Sequence, residues 1–188
     1  CQRFDANAIN PYTPAAYSWP SSMSQEHQEE LKNEIQRLIT LLGMKTAVYN
    51  IETRESDNGK AYIMELSPRG GGNRLSECLR YATGVDMITN MVKYSVGLPI
   101  DDIEQKPYDG CWCEIILHSD KPGVFDDLWI SDLIKDNVIE RDLWIEKGTK
   151  VGGFSAANEA IGTLVLNMKS QEEINEVLSN QNKYVKVI

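Results

Sequence analysis

The run TAVYNIETRESDNGKAYIMELSPR, residues 46–69, followed by Gly70-Gly71-Gly72-Asn73, decides the reading of this chain. Two strand-like stretches, 46–55 and 60–67, flank Ser56-Asp57-Asn58-Gly59. Asn-Gly favours a two-residue hairpin turn, because both central positions need positive φ. With Asn58 and Gly59 as the loop, facing positions sum to 117. Asp57 then faces Lys60, Glu52 faces Glu65, Asn50 faces Ser67 and Val48 faces Arg69. Strand side chains alternate, so Asn50, Glu52, Glu65, Ser67 and Arg69 share one face.

Directly opposed acids destabilise a sheet, since their Cβ atoms lie about 4.5–5.5 Å apart. A hard cation between them reverses that sign, and magnesium is commonly held by one or two carboxylates with phosphates and water completing the shell. A surface hairpin with both acids in water is the plainer alternative on the pair alone. The sequence after the second strand weighs against it. Arg69 offers a fork of donors to phosphate oxygens, and Gly70, Gly71 and Gly72 let backbone N–H groups approach an anion closely.

Together, Asn50-Ile51-Glu52, the Asn-Gly turn and Glu65-Leu66-Ser67-Pro68-Arg69-Gly70-Gly71-Gly72 resemble the signature of the ATP-grasp superfamily: an acid on one strand, then E-x-N-P-R with glycines on the next. Ala82-Thr83-Gly84-Val85-Asp86 and Gly97-Leu98-Pro99 resemble the pattern downstream of it in the carbamoyl-phosphate synthetase and biotin carboxylase branches. The match is specific over 44–99, while 111–188 looks like the trailing strands of the C-terminal lobe.

The resemblance implies ATP and Mg²⁺ as cofactors, with Mn²⁺ as a substitute the same donors would accept. Glu52, Glu65 and Ser67 would be the metal ligands and Arg69 the catalytic group steadying the transferred phosphoryl. Asn50, Gly70, Gly71, Gly72 and Asn73 would line the nucleotide phosphates. The implied reaction activates a small carboxylate or bicarbonate as an acyl phosphate and forms a C–N bond, in the manner of carbamoyl-phosphate synthetase. A nucleotide-binding or pseudoenzyme module without turnover is the alternative.

Two departures matter. Ser67 stands where the family usually has asparagine; its hydroxyl can still serve as a ligand, and Asn50 or Asn73 could compensate. The family's N-terminal lobes, with a nucleotide-binding lysine and a glycine-rich phosphate loop, have no counterpart between Cys1 and Gly43: Lys32 is placed on a helix and Lys45 just before a strand. Those lobes are expected upstream in the same polypeptide, the chain starting at Cys1 rather than at a methionine. Residues 1–188 are read as a single domain of α+β class, a largely antiparallel sheet with flanking helices.

The remaining sequence is read as follows. Residues 1–23, rich in Asn, Pro and Ser, read as a loop. Ser22 and Gln25 suggest a capping box for a helix carrying Leu31, Ile35, Leu38, Ile39 and Leu42, closed by Gly43. Further helices are expected over 74–82, ending at Gly84, and from the Asp86 N-cap to Gly97. Strands are expected near 111–118, 124–130, 138–146, 160–167 and 184–188, with a short helix capped by Ser170 and Glu173. Trp112, Trp129 and Trp144 are expected in the core. His27 is expected to be solvated on a helix face, and His118 to play a structural part at a strand end.

Composition sets the outer limits. In 188 residues, 41% are hydrophobic and 25% charged, the profile of a globular chain with one substantial core. A net charge of −9 without a basic cluster argues against a nucleic-acid partner, and no apolar run reaches the length of a membrane span. Cys111 and Cys113 alternate in an apolar run and read as buried thiols rather than half a metal site. Four unpatterned cysteines suit a reducing, cytoplasmic location. Assembly into a homo-oligomer is left open.

Overall fold

The computed structural model describes residues 1–188. Along the chain lie β1 (Gln2–Phe4), β2 (Pro14–Trp19), α1 (Gln25–Leu41), β3 (Asn50–Ser56), β4 (Lys60–Ser67), α2 (Leu75–Thr83), α3 (Met87–Ser95) and β5 (Cys111–Leu117). Then follow β6 (Gly123–Val124), β7 (Leu128–Ile130), β8 (Val138–Leu143), β9 (Lys150–Val151), β10 (Gly162–Met168), α4 (Gln171–Ser179), α5 (Gln181–Tyr184) and β11 (Val185–Val187). The class is α+β, and every paired strand is antiparallel. Contacts divide the chain into two compact units, Cys1–Pro20 with Pro107–Ile188, and Ser21–Lys106.

The first unit is built on a five-stranded sheet of order β1-β2-β5-β10-β8. Alternation sorts its side chains onto two faces. Ala16, Cys113, Ile115, Leu117, Leu164 and Leu166 pack with Ile174 and Val177 of α4, while Ala15 and Ile116 pack with Phe154. Both faces are covered, which explains why β5 and β10 read as nearly continuous apolar runs.

Residues 1–23 are not all loop. Gln2–Phe4 and Pro14–Trp19 are strands, and β2 pairs with β5 through Ala16↔Ile115, Tyr17↔Glu114, Ser18↔Cys113 and Trp19↔Trp112. Its small residues give no apolar periodicity, and Pro14 takes the first strand position, where a missing N–H is tolerated. The expected core tryptophans also divide. Trp112 is buried, but Trp129 and Trp144 are 41% and 45% exposed. Trp129 lies under the Lys186 ammonium and Trp144 donates its indole N–H to Asp142.

In the second unit, α1 packs on β4 and α2 on α3. The cap of α1 is Ser24, two residues later than expected, with its hydroxyl accepting from the His27 N–H at 3.2 Å. Gly84 ends α2 in the left-handed region at φ 75°, and Asp86 caps α3 by accepting from the Thr89 N–H at 2.8 Å. The 46–55 stretch is strand only from Asn50.

Candidate functional site

The site begins with the hairpin register. Asn50 faces Ser67, Ile51 faces Leu66 and Glu52 faces Glu65, as sequence alternation requires. The turn, however, is one residue longer than expected. Ser56 faces Lys60, and the Ser56 carbonyl accepts from the Gly59 N–H at 2.9 Å, with Gly59 at φ 74°. A compensating irregularity between Glu52 and Thr53, which leaves Met64 unopposed, restores the expected register beside the acids. Bulges re-aim side chains in this way and recur next to functional sites.

The acids are not isolated. The Ser67 hydroxyl donates to Glu65 Oε1 at 2.6 Å, and Arg54 Nη2 lies 3.7 Å from Glu52 Oε1. Two opposed carboxylates with a hydroxyl beside one of them form a set of hard oxygen donors, the kind Mg²⁺ accepts. Asn50 lies opposite Ser67 and can extend that set along the same face.

Beyond β4, Arg69 donates one guanidinium N–H to the Gly70 carbonyl at 2.8 Å and pairs with no carboxylate. The three glycines then separate by role. A Cβ at Gly71 would lie 2.3 Å from Leu75 Cδ2 and 2.9 Å from Leu75 Cβ, so close packing of the chain onto α2 excludes a side chain there. A Cβ at Gly70 would meet Ser76 Oγ at 3.0 Å, and one at Gly72 would meet nothing within 4 Å. Gly72 alone opens onto free space.

The positive φ angles fall on Asn73 (50°) and Arg74 (62°) instead. The Gly72 carbonyl accepts from the Leu75 N–H at 3.0 Å, closing a turn of type I′ that leads into α2. Asn is at home in the left-handed region, whereas Arg there is strained by about 1–2 kcal/mol. Arg74 is therefore a candidate that residue-type reasoning overlooked; the only local hint was its place directly after the glycines and Asn73.

His27 does more than expected, while His118 keeps the structural part expected of it. His27 is not simply solvated: Nδ1 meets Glu55 Oε1 at 2.5 Å and Nε2 meets the Gly59 carbonyl at 3.0 Å. Both partners are acceptors, so the ring is best satisfied as imidazolium, and the Glu55 hydrogen bond first, then the Gly59 bond, raise its pKa. The contact ties the hairpin tip to α1. His118 is buried, stacks on Phe154 with centroids 4.0 Å apart, and converges with Asp5 and Asp120. Asp5 could not be found from sequence, because it lies in the stretch read as loop. Cys113 is a buried thiol as expected, with its pKa pushed up to about 12, first by burial and then by Glu114.

No family model matches the chain. It is 28% identical over 91 residues to carnosine synthase 1 of Gallus gallus, a match covering 48% of this chain and 10% of that protein. Among solved structures, phosphoribosylglycinamide synthetase from Anaerococcus prevotii superposes with a TM-score of 0.76 at 19% identity, covering 94% of this chain and 45% of that one. An L-amino acid ligase from Bacillus licheniformis gives 0.77 at 15% identity, over 96% and 46%. The biotin carboxylase domain of Hydrogenobacter thermophilus 2-oxoglutarate carboxylase, solved with MgADP, ADP and bicarbonate, gives 0.70 at 13% identity, over 97% and 41%. The chain thus spans about a tenth of the curated relative and less than half of each structural one.

Proposed function

We propose that this chain, which has the ATP-grasp fold, is the magnesium- and phosphate-binding part of an ATP-dependent ligase that activates a carboxylate or bicarbonate. The observation that carries the reading is the Glu52–Glu65 pair, opposed across one hairpin and followed at once by Arg69 and the glycine run. Glu52 and Glu65 would hold the Mg²⁺ of the nucleotide, with Ser67 and Asn50 completing the oxygen donors. The ion, when bound, supplies charge neutralisation at the phosphates.

The chain's own residues then have distinct tasks. Arg69, unpaired with any carboxylate, would meet the transferred phosphoryl, where negative charge is spread over the equatorial oxygens. The open backbone at Gly72 and the left-handed Asn73 would face the remaining phosphate oxygens. A substrate carboxylate oxygen attacks the γ-phosphorus, the bond to ADP breaks, and an acyl phosphate results. An amine nitrogen next attacks the acyl carbon, phosphate departs, and the amine loses its proton. The residues that would bind adenine and the substrate, and the nucleotide-binding lysine, would then lie outside residues 1–188, which span less than half of the structural relatives.

The test uses the full-length protein that carries this chain. With ATP, Mg²⁺ and a panel of carboxylates, it should form ADP and phosphate only when a carboxylate or bicarbonate is present. Hydroxylamine should trap a hydroxamate in place of the amide. Release of AMP and pyrophosphate, or ATP hydrolysis indifferent to carboxylates, would exclude the proposed ligase chemistry. ATP binding without any turnover would favour the pseudoenzyme.

A further inference from the structure

We propose that Asp5, His118 and Asp120 form a second cation site, selective for a zinc-class divalent ion and built wholly within the five-stranded-sheet unit. It shares no residue with the hairpin. Three features carry the proposal. The first is the tautomer of His118. Its Nδ1 lies 2.7 Å from the Ile116 carbonyl, which can only accept, so the proton of the neutral ring sits on Nδ1. The Nε2 lone pair is then directed at Asp5 Oδ2, itself an acceptor, 3.5 Å away, inside a side chain only 1% exposed. Two acceptors facing one another at a buried position call for positive charge between them, either a proton on Nε2 or a bound cation.

The second feature is distance. An imidazolium bonded to a carboxylate would close to about 2.7–2.9 Å. Ligands across a tetrahedral zinc, with bonds of about 2.0–2.1 Å, stand about 3.4 Å apart, which matches the 3.5 Å here. Ligand atoms of all three residues lie within 4.8 Å of one another, and the same residues border a cavity of about 30 Å³. That is the room of a single water or ion.

The third feature is that each ligand is oriented from behind. The Ile116 carbonyl holds His118, the Asn7 N–H donates to Asp5 Oδ1 at 2.8 Å, and the Asn182 amide reaches Asp120 Oδ2 at 3.4 Å. Outer partners of this kind fix ring and carboxylate orientation in metal sites. One neutral imidazole and two carboxylates balance a divalent charge. The nitrogen donor favours zinc, cobalt or iron(II) over magnesium. An ion here would tie the turn after β1 to the loop that follows β5.

The probe is Co²⁺ added to the purified protein, followed by Zn²⁺. One equivalent should bind with visible ligand-field bands and without thiolate charge transfer in the near ultraviolet, and Zn²⁺ should displace it while excess Mg²⁺ does not. Asp120→Asn and Asp5→Asn, checked for folding by circular dichroism, should each weaken Co²⁺ binding at least about tenfold. Asp120 is exposed, so its variant tests the site without loss of core packing. Glu65→Gln should leave Co²⁺ affinity unchanged. The proposal is overturned if no stoichiometric Co²⁺ binds, if both Asp variants bind as the parent does, if thiolate bands appear, or if Glu65→Gln abolishes binding.

Discussion

Glu65→Gln in the full-length protein separates a metal ligand from a structural residue, because the two roles move stability and turnover in opposite ways. In the folded hairpin Glu65 faces Glu52 and accepts from the Ser67 hydroxyl at 2.6 Å. Two charges about 5 Å apart in water repel by about 0.8 kcal/mol, less in salt. The amide of Gln can still accept from Ser67, so the hydrogen bond becomes weaker rather than absent, a loss of about 0.5–1 kcal/mol. These effects nearly cancel, and the melting temperature without nucleotide should move by no more than about 3 °C. Phosphoryl transfer should respond differently. A neutral amide holds Mg²⁺ poorly, and losing several kcal/mol of charge stabilisation predicts a fall in kcat/KM of at least about a thousandfold. The assay pairs a ligand-free melt with ADP formation at saturating Mg²⁺. Turnover within tenfold of the parent, together with a melting temperature lowered by more than about 6 °C, would refute the assignment and remove the main support of the proposed function.

Three further outcomes rest on the same structure. Gly71→Ala should destabilise the hairpin–helix unit by about 1–3 kcal/mol because its Cβ would overlap Leu75, whereas Gly72→Ala should leave chemical denaturation unchanged or raise stability slightly while weakening nucleotide binding in calorimetry. His27 should titrate above its ordinary value in an NMR titration, and its folded-state pKa is raised, so its contribution is complete below the unfolded-state pKa and lost as pH rises through the folded one; hydrogen exchange at the hairpin tip should quicken across that interval beyond its normal base catalysis, and His27→Gln should remove the excess. Native alkylation should spare Cys78 and Cys113, which are buried, and Cys113 in particular should resist because burial keeps it a thiol; rapid labelling of Cys113 would contradict its place in the sheet.

How much of this was legible in the sequence depends on whether the signal was local. The Glu52–Glu65 opposition was readable, yet through two departures that offset one another. Asn58-Gly59 serves a two-residue turn or a longer one with glycine in the left-handed position, and the chain takes the longer. The shift this introduces is undone at Met64, and no residue type there announces it. The caps at Asp86 and Ser170 and the closing Gly84 were readable because each is a short-range hydrogen bond or a φ requirement. Strand β2 was not, since Ala15 and Ala16 are buried by their neighbours in the sheet rather than by their own hydrophobicity. The same holds for Asp5 beside His118, a contact between residues about 113 positions apart in the chain, with the whole second unit between them in sequence.

Departures from local preference cluster between residues 50 and 74. Two acids oppose one another, a bulge interrupts their strands, and Arg74 occupies a left-handed conformation beside a glycine run. Each costs the free protein a fraction of a kcal/mol to about 2 kcal/mol. Internal contacts offset part of this: Ser67 donates to Glu65, Arg54 lies 3.7 Å from Glu52, and Arg74 lies 3.6 Å from the half-buried Glu77. A ligand with a cation at one end and phosphates at the other would reverse both signs at once, meeting the carboxylates with positive charge and the arginines and open backbone with negative charge. The costs sit where such a ligand would offset them, and this placement supports the proposal that the hairpin is a site for MgATP rather than an ordinary turn.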